Sequence, residues 1–124
     1  MSRILVIDDN AVNLDLMLYV LRAFGHDAEG YSDGLSGLQA ALRGDFAIVL
    51  SDILMPGIDG YEFARRFKGE SHLATVPLVA VTALAMSGDR ERIAAAGFDG
   101  YIAKPIEPRT FATQVEAFLD RNAS

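Results

Sequence analysis

Four stretches of the chain are continuously apolar: Ile4-Leu5-Val6-Ile7, Phe46-Ala47-Ile48-Val49-Leu50, Leu78-Val79-Ala80-Val81 and the shorter Gly100-Tyr101-Ile102. None alternates apolar with polar positions, so each predicts a strand covered on both faces, as in a parallel sheet between two helix layers. A weaker run around Ala28 to Tyr31 predicts a fifth strand at a sheet edge. Between these runs the spacing becomes helical. Val12 to Phe24 is closed by Gly25, and Asp33 to Arg43 by Gly44. Asp59 with Glu62 three residues on is a capping-box variant that opens a helix running to Lys68. Asp89 to Ala96 precedes Gly97, and Pro108 suits the first turn of a helix over Thr110 to Leu119.

Strands and helices therefore alternate along the whole chain with short connections. That alternation predicts an α/β fold, a doubly wound parallel sheet of five strands with five helices, joined by right-handed crossovers. At 124 residues the chain fits one domain spanning 1–124, and with the last helix reaching almost to Ser124 no output domain is expected. Half the residues are apolar, 51%, enough for a core. No cysteine is present, which removes disulfides, thiolate metal sites and cysteine nucleophiles. His26 and His72 lie far apart and do not suggest a metal pair. The net charge of −6 argues against direct nucleic acid binding. No apolar run is long enough for membrane insertion, and the N-terminus lacks a signal-peptide pattern, so a cytoplasmic location is expected.

In a sheet of this kind, functional groups gather beyond the carboxyl ends of the strands. Those ends carry Asp8 and Asp9, then Asp52, then Thr82, then Lys104 followed by Pro105. Three carboxylates in one crevice repel one another and raise each other's pKa, a conflict that a hard divalent cation relieves. With such a cation beside it, Asp52 could accept a phosphoryl group, while Lys104 and Thr82 contact phosphoryl oxygens. Taken singly, each residue has a plainer explanation. Asp8-Asp9 could cap a helix, Asp52 could be a turn acid, Thr82 a satisfied hydroxyl and Tyr101 a core side chain. Asp59-Gly60 and Asp99-Gly100 read as turns and caps, and Arg65, Arg66, Arg90 and Arg92 as solvated helix faces.

Jointly, Asp8, Asp9, Asp52, Thr82, Tyr101, Lys104 and Pro105, with the patterns Asp52-Ile53-Leu54-Met55-Pro56-Gly57 and Tyr101-Ile102-Ala103-Lys104-Pro105, resemble the receiver domains of two-component response regulators. The resemblance implies a flavodoxin-like receiver fold with Asp52 as phosphoacceptor. It implies Mg²⁺ (or Mn²⁺) held by Asp8, Asp9, Asp52 and the backbone carbonyl of Leu54. It further implies a cis Lys104–Pro105 bond, phosphoryl contacts and switching through Thr82, Ala83, Lys104 and Tyr101, and no catalysis beyond the chain's own phosphorylation and dephosphorylation. The implied partners are a histidine kinase or histidine phosphotransfer protein and an unnamed downstream protein. Asp8-Asp9-Asn10, Asn13-Leu14 and Thr82-Ala83-Leu84-Ala85-Met86 resemble single-domain regulators of the DivK and chemotaxis types, although hybrid-kinase receiver modules share these segments. A relay intermediate, such a module and a receiver that no longer takes phosphate remain alternatives. An aspartate-nucleophile phosphatase would carry a second acid two residues after the nucleophile, where this chain has Leu54. Leu54 and Leu84 put apolar bulk at the entrance.

The first helix is apolar nearly all round. Leu16, Met17, Val20 and Phe24 share one face and are expected on the sheet. Leu14, Leu18 and Leu21 form a second stripe roughly 110° away. That stripe would either pack on the last helix or dock the helical bundle bearing a phosphohistidine.

Overall fold

The structure, a computed structural model, describes residues 2–83 and 87–123; Leu84, Ala85 and Met86 lie outside the described residues. In chain order the elements are β1 (Arg3–Ile7), α1 (Ala11–Ala23), β2 (Asp27–Tyr31), α2 (Gly34–Arg43), β3 (Ile48–Ser51) and α3 (Gly60–Lys68). A 3₁₀ turn (Ser71–Leu73) follows, then β4 (Leu78–Thr82), α4 (Ser87–Ala96), β5 (Gly100–Ala103) and α5 (Pro108–Ala123). The strands form one parallel sheet in the order β2-β1-β3-β4-β5. The weakest strand by sequence, β2, is an edge strand, as its polar content predicts.

Continuous apolar strands follow from what covers the two faces. In β1, Leu5 and Ile7 face a cluster with Leu38 of α2, Phe63 and Phe67 of α3 and Ile93 of α4. Ile4 and Val6 face the opposite cluster, with Met17, Val20 and Leu21 of α1 and Phe111 and Val115 of α5. Strands β3 and β4 divide in the same way, because successive side chains of a strand point to opposite faces. Caps fix the helix starts: Asn10, Asp33 and Asp59 accept from the N–H groups of Asn13, Ser36 and Glu62 at 3.0, 2.7 and 2.9 Å. The reciprocal half of the box at Asp59 is not made. The Glu62 carboxylate is taken by Arg66 and Arg65 at 2.8 and 2.7 Å.

The packing of α1 departs from the two-stripe expectation. Met17 and Val20 do pack on the sheet, but Phe24 caps the helix and is 47% exposed. Of the second stripe, Leu21 is wholly buried, and Leu14 and Leu18 are half-buried. The Cδ1 atoms of Leu18 and Leu14 lie 2.7 and 3.0 Å from where a Cβ on Gly30 would stand. A side chain at Gly30 would push the ends of these two leucines aside. The stripe thus lies partly over β2, with Leu14 and Leu18 keeping part of their surface exposed. The outward apolar side chains of α1 are Val12, 76% exposed, and Tyr19, 73% exposed.

This packing predicts that Leu21→Ala lowers unfolding free energy by about 2–5 kcal/mol, the range for a truncated core leucine. Tyr19→Ala should stay within about 0.5 kcal/mol of wild type. Chemical denaturation of both variants reads the difference.

Candidate functional site

The parallel register brings the carboxyl ends of β1, β3, β4 and β5 to one rim. Ile7 is level with Ser51, and Thr82 with Ala103, so the residues that follow them project together. Asp8 donates its N–H to Tyr31 O at 3.1 Å, and Asp52 donates to Ile7 O at 2.9 Å. Both backbones are held by the sheet before their side chains do anything. Lys104 is fixed likewise, donating its N–H to Thr82 O at 2.9 Å, and the Lys104–Pro105 peptide is cis.

The side chains meet around the Lys104 ammonium. Its Nζ lies 2.9 Å from Asp52 Oδ2 and 3.0 Å from Asp8 Oδ2. Asp52 Oδ1 accepts from the Ile53 N–H at 2.7 Å, and Asp8 Oδ1 from the Asn10 N–H at 2.9 Å. Asp8 Oδ2 is different: despite its closeness to the ammonium it lacks an aligned hydrogen-bond donor, and it is shut off from solvent. Asp8 is 0% exposed, Asp52 is buried and Asp9 is exposed, so the acids run from the interior to the mouth of the crevice. One carboxylate oxygen from each of Asp8, Asp9 and Asp52 falls within 4.8 Å of the others, the only such group of potential metal ligands among the described residues. Three hard oxygen donors, one without a hydrogen-bond donor, suit a divalent cation such as Mg²⁺.

Burial pushes the Asp8 carboxyl above its usual range, against the Asn10 hydrogen bond and the Lys104 ammonium, which pull it down. The Asp52 charge adds a smaller upward push, so desolvation, rather than the mutual repulsion expected from sequence, dominates. Burial alone would lower Lys104, but Asp52 and Asp8 outweigh it and raise its pKa.

Thr82 is buried at the end of β4, with Ala83 exposed beside it, and Leu54 stands 61% exposed two residues beyond Asp52. Tyr101 is half-buried on β5 with the Arg90 guanidinium 5.2 Å above its ring, and Arg92 lies 4.5 Å from the Tyr61 ring. These two arginines are therefore packed on aromatics, not simply solvated, whereas Arg65 and Arg66 pair with Glu62 on the outer surface of α3. Gly60 is a site residue that was read only as part of a turn. A Cβ there would stand 2.5 Å from Asp52 O and 2.6 Å from Ile53 Cα, so only glycine lets α3 begin against the loop carrying Asp52. A signal was present, since glycine in a helix costs about 1 kcal/mol relative to alanine and needs a reason. Of the leucines on α1, Leu21 is wholly buried, and Leu14 and Leu18 remain half-buried.

A carboxyl whose folded pKa is raised contributes stability at low pH that is lost as pH rises through that pKa. Without metal, Asp8→Asn is therefore expected to melt higher than wild type at neutral pH. The gain should shrink as pH falls toward the ordinary carboxylate range, which melting curves across pH will check. An Asp8→Asn protein less stable than wild type at neutral pH would contradict the electrostatic account.

Comparison with known proteins places this geometry. The family model described as response regulator receiver domain matches residues 4–116. The polar-differentiation response regulator DivK of Brucella ovis is 33% identical over 116 residues, covering 94% of each chain. The receiver domain of sensor histidine kinase PA1611 from Pseudomonas aeruginosa, solved with magnesium coordinated in its active site cleft, superposes with TM-score 0.88 at 30% identity, covering 96% of this chain and 98% of that one. Chemotaxis protein CheY4 of Vibrio cholerae shares the fold with TM-score 0.91 at 24% identity, over 95% of this chain and 98% of its own. Among the described residues no helix is long and apolar enough to cross a membrane. The chain belongs to the response regulator receiver domain family.

Proposed function

We propose that the protein is a phosphoacceptor of two-component signalling that takes a phosphoryl group onto Asp52 and changes its protein contacts when it does. The observation that carries this reading is the convergence of Asp8, Asp9 and Asp52 within 4.8 Å beside the Lys104 ammonium. As the P–N bond of a phosphohistidine breaks, a P–O bond forms to the Asp52 carboxylate, and the departing imidazole nitrogen is left to take a proton. Asp8, Asp9, Asp52 and, by family likeness, the Leu54 carbonyl would hold Mg²⁺ or Mn²⁺. That cation supplies positive charge against the transferring phosphoryl oxygens. Lys104 offers a second positive contact, and Thr82 with the backbone at Ala83 would face the remaining oxygen. Removing the ammonium from Asp52, or drawing Thr82 inward, would then be felt at Tyr101 on the neighbouring strand as a shift between two populations.

The donor would be a histidine kinase or histidine phosphotransfer protein, and the receiver of the signal another protein. Likeness to both a stand-alone regulator and a kinase-borne receiver domain supports two placements, a terminal regulator or a relay intermediate. Back-transfer from phosphorylated protein to a phosphotransfer protein marks the relay.

With Mg²⁺ and acetyl phosphate, intact mass is expected to rise by one phosphoryl group in wild type and stay unchanged in Asp52→Asn or in chelator. Labelling of Asp52→Asn at the wild-type level would sink the assignment.

The flanking residues should divide their roles. Asp9→Ala is expected to weaken Mg²⁺ binding by about tenfold or more, the scale for disturbing a ligand set. Lys104→Ala should spare metal affinity more than it spares the phosphorylation response, because an ammonium does not ligate a cation. Metal titrations of both variants separate them, and equal losses would contradict the scheme.

A further inference from the structure

The sheet has β2 at one end, with β1 as its only neighbour among the described residues. Its hydrogen-bonding parity can be read from the two ends of the strand. Asp27 donates its N–H to Ser2 O at 2.8 Å, and Tyr31 O accepts from Asp8 at 3.1 Å. Asp27, Glu29 and Tyr31 thus turn their backbone groups toward β1, and Ala28 and Gly30 turn theirs outward. One outward group is covered. Arg22, from the last turn of α1, places Nε at 3.2 Å and Nη2 at 2.7 Å from Ala28 O, so both prongs of the guanidinium close on a single edge carbonyl.

We propose that the outer edge of β2 is a latent interface for the same edge of a second copy, and that Arg22 and Glu29 hold it shut. An open edge is a template for another strand unless charge or a covering group blocks it. The occupant that fits is β2 itself. Set antiparallel about Glu29, the strand places Ala28 opposite Gly30 of the second copy, and the outward N–H and C=O groups of the two residues match reciprocally, as a two-fold contact requires. Arg22 opposes this by occupying the Ala28 acceptor. Glu29 opposes it because it would stand directly across from its own copy, and like charges in such a pair are destabilising. Each chain orders that carboxylate through Tyr31 Oη, donating at 2.6 Å, and Arg3 at 3.4 Å. The face of the strand is covered as well, since Leu14 and Leu18 of α1 close over Gly30. Arg22 is otherwise exposed, so its removal leaves the α1 packing in place.

The test compares wild type, Arg22→Ala/Glu29→Gln and Arg22→Lys/Glu29→Gln by sedimentation and by amide exchange at Ala28 and Gly30. The alanine double variant is expected to move from 13.4 kDa toward twice that mass as concentration rises. Its Ala28 and Gly30 amides should slow by about tenfold relative to wild type and recover on dilution. The lysine variant, which keeps a donor at the carbonyl, should behave as wild type. Exchange at Ala28 and Gly30 that matches wild type at every concentration overturns the proposal, whatever mass is seen, because a dimer through another face or an aggregate would leave those amides unprotected. Pairing by the lysine variant as readily as by the alanine variant overturns it too.

Discussion

The ammonium of Lys104 is the charge on which the carboxyl end of this sheet depends. It stands 2.9 Å from Asp52 and 3.0 Å from Asp8, two buried acids that belong to adjacent strands. Lys104 and Asp52 are energetically one unit, because removing either leaves the other uncompensated at a cost of about 3–5 kcal/mol, whereas Asp8 carries its charge against its own burial. The balance is uneven. Asp52 has both oxygens engaged, while Asp8 has one oxygen without a donor and a pKa pushed up by burial. Three carboxylates facing one ammonium, with Lys104 closest to Asp52, suit a further positive charge held at Asp8 and Asp9.

That charge unit can be held only by a frame that does not yield, and the frame comes from close packing of backbone on backbone. Asp8, Asp52 and Lys104 are each anchored by a sheet hydrogen bond from their own N–H. Beneath Asp52, the start of α3 comes so near the β3 loop that position 60 has no space for a Cβ. The Asp59 side chain then caps α3, and the Gly60 N–H donates to Ile53 O at 2.8 Å. Ile53 meanwhile gives its own N–H to Asp52 Oδ1. Helix start, loop and the Asp52 carboxylate are in this way joined through one residue.

Much of this was legible in the sequence, for identifiable reasons. Unbroken apolar runs report two covered faces, so four strands and their parallel arrangement could be read directly, and the weaker Ala28–Tyr31 run marked the edge. The convergence of Asp8, Asp52, Thr82 and Lys104 at one rim was legible because these residues interrupt the chain just past the apolar runs, at the carboxyl ends of the strands. Three things were hidden. Periodicity assigns a helix its faces but not what meets them, so Leu14 and Leu18 could not be matched to Gly30, 16 and 12 residues away in the chain. The capping pair at Asp59 and Glu62 was half right, because two arginines competing for Glu62 prevail over a backbone N–H. Phe46 and Ala47 were read into β3, yet the strand begins at Ile48; Phe46 lies under the Arg3 guanidinium, 4.7 Å away, and the ladder with β4 starts only at Val49. Arg90 and Arg92 gave no sign in sequence of the rings they cover.

Arg90 has a consequence for where a change at Asp52 would emerge. Lys104 is continuous with β5, and its N–H is bonded to Thr82 O, so both residues that would contact a phosphoryl group are tied to the same pair of strands. On β5, Tyr101 is level with Ala80 of β4, and its ring lies beneath a guanidinium from α4. A cation over an aromatic face is worth about 0.5–1 kcal/mol at an exposed site. That is small against the core, and a fraction of the few kcal/mol that separate two populated arrangements of a switch. In the proposed mechanism, then, the contact between Arg90 and Tyr101 is weak enough to break and strong enough to bias. On the β1 side Asp8 is fully buried, and the helix that follows it lays Leu14 and Leu18 over Gly30. In the proposed mechanism a charge added at Asp52 therefore meets close packing toward β1 and, toward β5 and α4, a contact that a small free energy can shift.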